Sequence, residues 1–133
     1  MALVTRAATA SMDTGTIQFA PQVSGLVAGE VLDPCAPCYI KTSDGKVYMS
    51  NGTAANEAAE FVGFNSRAVA AIDQPVTLHG VGARMSYGTG LAPGDRYYIA
   101  ATAGRLDTAA TTGDAVGVAQ AINTTDIRVT RSV

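Results

Sequence analysis

The sequence predicts an all-β protein: a small β-barrel or sandwich built from two similar four-stranded halves, preceded by an extended N-terminal arm. Three observations carry that expectation. The apolar stretches are short and rich in Thr and Val, and none sustains a 3.6-residue period over several turns. Fourteen glycines and five prolines are spread along the chain and cut it into pieces of strand length. One hairpin frame occurs twice, as "YIKTSDGKVYM" at 39–49 and "YIAATAGRLDT" at 98–108.

Residues 1–14 show no periodicity and read as an extended or disordered arm, with Leu3 and Val4 as its apolar anchors. "TIQFA", 16–20, alternates as a strand should: Ile17 and Phe19 point one way, Thr16 and Gln18 the other. The arm and this strand, residues 1–25, form one unit, and 26–133 form a single β-domain. Pro21 ends the strand, and "SGLVAGEVLDPCAP" reads as a loop broken by Gly25, Gly29, Pro34 and Pro37.

The first hairpin follows. Asp44-Gly45 predicts a two-residue type I′ turn, in which both central residues take positive φ. "NGTAANEAAE", 51–60, is the one helix-like patch, with Thr53 as its cap, and is long enough for a single turn. Strands are expected in 61–72 and 75–87, with Val76, Leu78 and Val81 facing inward. A strand, a tight Gly104 turn and a short strand fill 88–108, and two strands around Asn123 close the chain.

The two hairpins suggest an internal repeat over 26–82 and 83–133. Tyr98 and Ile99 repeat Tyr39 and Ile40, and Gly104 repeats Gly45 at the same distance along the chain. "AVGV" at 115–118 resembles "FVGF" at 61–64, which would make Gly117 the counterpart of Gly63. A glycine inside a strand marks a bulge or a close backbone approach. Val76 and Leu78 would then match Ile127 and Val129. Two units, each with one apolar face, bury both faces by stacking.

Composition narrows the function. The charged fraction is 15% and the net charge −2, which argues against a nucleic-acid backbone or an anionic membrane surface as partner. No run of about 20 apolar residues reads as a membrane span. No secretory signal is read at the start, so synthesis in the cytoplasm is the default.

The search for chemistry finds little that converges. His79, the single histidine, reads as a solvent-facing or satisfied residue. Cys35 and Cys38 in "PCAPC" give two ligands where zinc wants four. They read first as unreactive turn residues, then as a structural disulfide, and last as a metal or redox pair. Most carboxylates fall in expected turns. The sequons Asn51-Gly52-Thr53 and Asn123-Thr124-Thr125 read as turn residues, and the tyrosines and phenylalanines as core and interface anchors. No enzyme activity, cofactor or metal is expected.

Three stretches carry a family resemblance: "AGE…APCYIKTSDGKVY", "AAEFVGFNSRAVAAIDQPVTLHGVG" and "YGTGLAPGDRYYIAATAGRLDTAATTGDAVGVAQAINTTDIRV". Over roughly 26–131 the chain resembles the small head-decoration, or cement, proteins of tailed bacteriophages. The "PCAPC" turn has no place in that pattern.

The resemblance implies a β-rich structural protein, made in the host bacterial cytoplasm and carried on the outer surface of the virion head. It implies two partners, the major capsid protein and the chain itself as a homotrimer. It also implies an arm, here Leu3, Val4, Ile17 and Phe19, that touches the shell or a neighbouring subunit. The alternative is a tail-fibre or baseplate attachment module, with a glycan as its ligand, which should expose an aromatic and carboxylate cluster.

Overall fold

The structure is a computed structural model, and it describes residues 3–8, 10–12 and 21–131. The expected strand at 16–20, with Ile17 and Phe19, lies outside the described residues. Eleven strands are described: β1 Ser11–Met12, β2 Gln22–Val27, β3 Pro37–Ile40, β4 Val47–Met49, β5 Gly63–Asn65, β6 Pro75–His79, β7 Arg84–Ser86, β8 Arg96–Ile99, β9 Leu106–Asp107, β10 Ala119–Ala121 and β11 Asp126–Val129. They make two antiparallel sheets. One has five strands in the order β2-β6-β5-β3-β4, the other six in the order β1-β7-β11-β10-β8-β9. Strand order closes neither sheet on itself.

The alternation expected of half-buried strands is present. Ile127 and Val129 are buried on either side of exposed Arg128, and Tyr97 and Ile99 follow exposed Arg96 in the same way. In β6, Val76 and Leu78 face inward as expected, while Val81 lies beyond the strand and is exposed. Gly82 takes φ +93 immediately afterwards, turning the chain into the second sheet.

Substituting β7 for β2, β8 for β3, β9 for β4, β10 for β5 and β11 for β6 turns the first sheet's order into that of the second, with β1 added at its edge. The shared pattern is therefore of five strands, one more than the sequence suggested. The fifth is β2, in the stretch expected to be a loop. Its alternation is hidden by a bulge between Val23 and Leu26, where Gly25 takes φ +79. β2 also straddles the expected boundary at residue 25.

The hairpins match in register, with Ile40 opposite Val47 and Ile99 opposite Leu106. The two-residue turn expected at Asp44-Gly45 does not form, and the Gly104 turn has the same longer loop. Lys41 N–H donates to the Lys46 carbonyl and Ala100 N–H to that of Arg105, which leaves four-residue loops. Gly45 and Gly104 are the left-handed residues of these loops, at φ +70 and +76, and Asp44 is not left-handed. The Asp44 carboxylate instead accepts from Lys46 N–H and the Tyr48 hydroxyl.

Pairing also corrects the glycine match. Cys38 pairs with Gly63, and its counterpart Tyr97 pairs with Ala119. Gly63 therefore occupies the place of Ala119, not that of Gly117. By the same pairing, Leu78 answers to Ile127 and not to Val129. The helix-like patch is a single 3₁₀ turn, Glu57–Ala59, capped by Asn56 and not by Thr53.

Two buried clusters hold the molecule together. The smaller lies within the first half and contains Ala28, Leu32, Ala36, Cys38, Val47, Val69, Val76 and Leu78. The larger joins Phe61, Phe64 and Cys35 of the first half to the interior of the second half and to Val4, Ala10 and Met12. Phe61 and Phe64 meet edge to face with ring centres 5.4 Å apart, an aromatic seam between the halves.

Candidate functional surfaces

The polar groups with catalytic potential do not converge among the described residues. His79 is not the solvent-facing or satisfied residue expected from sequence. It is buried within β6, its Nδ1 lacks a hydrogen-bond partner among the described residues, and burial lowers its pKa. Cys35 and Cys38 are both buried and both free thiols. Burial pushes Cys35 up to about 11, against a smaller opposing pull from Arg6, and raises Cys38 further. These thiols carry little thiolate at neutral pH. They belong to different clusters, Cys35 to the larger and Cys38 to the smaller. Among the described residues no three His, Cys, Asp or Glu side chains gather as metal ligands.

Several carboxylates reach beyond a local turn, and Asp114 is the most deeply buried of them. Asp114 is buried and accepts from the backbone N–H groups of Ile99 and Gly117 and from Arg131, the last at 3.0 Å. It ties β8, the approach to β10 and the chain's last described residue together. Asn51 and Asn123 each accept from the N–H of the threonine two residues on, as local turns require.

The N-terminal segment is docked rather than free over its described residues. Val4 N–H donates to the Leu106 carbonyl at 2.8 Å, Ala7 N–H donates to that of Tyr87, and β1 pairs with β7. The first half has an internal parallel for the first of these bonds. Gly29 N–H donates to the Val47 carbonyl at 2.9 Å, and Val47 is the counterpart of Leu106. A segment directly after β2 thus covers β4, while the equivalent place on β9 is filled from the far end of the chain.

Arg6 fixes this strap to both halves. Its guanidinium donates to the Gly104 carbonyl in the second and pairs with Asp33 in the first, each at 2.9 Å. Of the four arm residues expected to meet a neighbour, Val4 is buried in the chain's own core and Leu3 is exposed. Ile17 and Phe19 lie outside the described residues.

The turn glycines have distinct reasons. A Cβ on Gly45 would meet open space, whereas one on Gly104 would strike Met49. On Gly63 it would lie 2.7 Å from the His79 carbonyl oxygen, a close approach between neighbouring strands. On Gly117, at φ +95, it would press into the stem of Arg96.

Pairing also assembles a row that no sequence window contains. Arg84 lies opposite Arg128, Arg128 opposite Gln120, and Gln120 opposite Arg96, across β7, β11, β10 and β8. All four face away from the buried Met85, Ile127, Ala119 and Tyr97 beside them. Arg84 pairs with Asp126 at 2.8 Å, and the Arg128 guanidinium donates to the neutral Gln120 side chain. The signal in sequence was one arginine beside a buried residue in each of three strands. Its meaning depended on register.

In the first hairpin, Tyr39 and Tyr48 are cross-strand partners with ring centres 6.0 Å apart. Asp44, Glu57 and Glu30 surround them. The Asp44 carboxylate accepts from the Tyr48 hydroxyl at 2.7 Å and pushes that group up to about 12. Burial, then Glu57, Glu30 and Asp44 raise Tyr39. Glu57 accepts from Thr42, and Glu30 from Met49 N–H.

No helix among the described residues is long and apolar enough to cross a membrane. Comparison with known protein families finds no family model that matches this chain, and comparison with curated proteins finds no match.

Proposed function

We propose that this chain is a decoration protein of a tailed-bacteriophage capsid, which binds the outer surface of the expanded head and stabilises it against internal pressure. In this reading it acts on the virion surface through the major capsid protein and through itself as a homotrimer, and it performs no catalysis. The observation that carries the reading is the resemblance of residues 26–131 to that family. An all-β body in two antiparallel sheets is in keeping with it. The reading takes the two halves together as one small barrel or sandwich, and the bridges Ala28–Val47 and Leu3–Asp107 add contacts at the sheet edges.

Such a protein works by mass action. Binding the expanded shell and not its separated subunits stabilises the shell, and many weak sites over a lattice sum to high avidity. The docked strap changes which residues serve. Val4 is used internally, so shell contact near the start of the chain falls to exposed Leu3.

A tail-fibre or baseplate attachment module with a glycan site is the second reading, and the Tyr39–Tyr48 cluster with its carboxylates is the observation that favours it. A sugar needs a free aromatic face. Tyr39 is buried, and Lys41 lies over the Tyr48 ring at 4.9 Å, so this cluster offers little room for stacking.

Gold labelling of the protein on intact virions separates the readings. Label spread over heads at many copies supports decoration. Label confined to tails overturns it in favour of attachment, and virions without label overturn both.

A further inference from the structure

We propose that the arginine row of the second half is a docking face for a second copy of this chain, and that it receives the acidic rim of that copy's first hairpin. The proposal deepens the self-association in the reading above by naming its two surfaces.

The row is an unusual use of charge. Arg84 and Arg128 are direct cross-strand neighbours on one face, where like charges repel. Asp126 neutralises Arg84. Among the described residues, Arg96 and Arg128 have no carboxylate at ion-pair distance. Arg128 bonds the neutral Gln120 side chain and Arg96 a backbone carbonyl at 3.4 Å. Arg131 lines the same shallow groove, with Gly117 and the exposed Val116. The result is a flat positive strip with an apolar edge, on a chain whose net charge is −2.

The complementary charge lies on the other half. Residues 26–82 hold six carboxylates against three basic side chains, while residues 83–133 hold four against five arginines. Glu30, Asp44 and Glu57 gather around the two tyrosines of the first hairpin, each near enough to raise the Tyr39 pKa. Lys46 of that hairpin is paired with Asp73 and Lys41 lies over the Tyr48 ring, so the cluster keeps a negative excess. Their hydrogen bonds within the protein hold these carboxylates in place, so little side-chain freedom is lost when a guanidinium arrives. Guanidinium–carboxylate pairs favour this match because the fork of one fits the two oxygens of the other.

The two patches lie on different halves, so the contact is head to tail. One copy's row meets the next copy's hairpin, and such contacts close into a ring or run on as a chain.

Sedimentation equilibrium of the full chain at low salt and at about 1 M salt tests this, since screening weakens exposed ion pairs. The expected result is an assembly of several 13.5 kDa protomers at low salt that dissociates at high salt. Arg96→Glu with Arg128→Glu should weaken assembly at least about tenfold, and Glu57→Arg should weaken it too. Combining Arg128→Glu with Glu57→Arg should recover part of the loss, with circular dichroism confirming that every variant is folded.

A monomer at all salts overturns the proposal. So does an assembly indifferent to both arginine substitutions, and so does a combined variant with no recovery, since the row would then meet something other than the hairpin. A monomeric protein that still labels virion heads overturns this proposal and the homotrimer with it, and leaves capsid decoration standing.

Discussion

The rows Gln22–His79–Phe64–Pro37 and Arg84–Arg128–Gln120–Arg96 occupy the same places in the two sheets, strand for strand. In the first, Phe64, His79 and Pro37 are buried, and Phe64 belongs to the cluster shared with the second half. In the second, Arg96 and Arg128 are exposed. The backbone pairing is conserved between the halves while the chemistry of the face is reversed. Register is thus set by the strands and their turns, and a face becomes apolar or charged according to what covers it. Stacking that covers one face of each unit leaves an outermost face in water, which has to be polar.

The largest expected effect removes the element that treats the halves unequally. Deleting residues 1–12 uncovers the sites of Val4, Ala10 and Met12 in the larger cluster. The loss should be on the order of 5 kcal/mol, as an upper bound from the apolar area re-exposed. Hydrogen exchange should quicken at the amides of β7 and around Leu106, and stay slow around Ile40 and Val47. Equal loosening in both hairpins would show that the strap serves the whole molecule. The reading of residues 1–14 as an extended or disordered arm does not hold for Val4, Ala10 and Met12, whose side chains are buried.

Next comes the pair of rows itself. Phe64→Ala should cost about 3–5 kcal/mol in urea unfolding. Gln120→Ala, at the equivalent position, should stay within about 0.5 kcal/mol. Similar costs at both would contradict the contrast between a covered and an uncovered face.

The hairpin glycines sharpen it further. Gly45→Val should cost about 1–2 kcal/mol through its left-handed backbone alone. Gly104→Val should cost at least about 1 kcal/mol more, because Met49 occupies the space a side chain would need. Equal melting temperatures for the two variants would remove the Met49 contact as a cause.

The smallest effect concerns His79, which burial holds neutral. Its folded pKa lies below the ordinary value of 6.5, so the unfolded chain takes up the proton first as pH falls. Stability should therefore decline below about pH 6.5 and be unaffected by this group above it. His79→Gln should flatten that decline in urea midpoints measured between pH 7.5 and 5. An unchanged slope would place the acid sensitivity elsewhere.

Much of the fold was legible in the sequence because the hairpins advertise themselves. Tyr-Ile, a glycine, then Val or Leu recur at fixed spacing, and both copies formed with matching register. What escaped notice depends on contacts far apart in sequence. β2 hid behind its bulge. The "VG" pairs at 62–63 and 116–117 matched by eye, but hydrogen bonding moved one against the other by two residues. The arginine row needed the register of four strands before three scattered arginines became one line. The docking of Val4 and Arg6 depended on partners up to 102 positions along the chain, such as the Leu106 carbonyl. No local pattern reports a contact of that kind.

The strap has a consequence for how the molecule comes into being. The strands of the first half pair only with one another, within residues 22–79, so that sheet can pair while the ribosome is still adding the second half. The second half must await β11, which lies between β7 and β10. Residues 3–12 are made before β7 and β9, yet their places on those strands exist only once that late sheet has formed. Synthesis order and assembly order run in opposite directions at this one segment. The closing of the strap is then the long-range step expected to set the pace of folding.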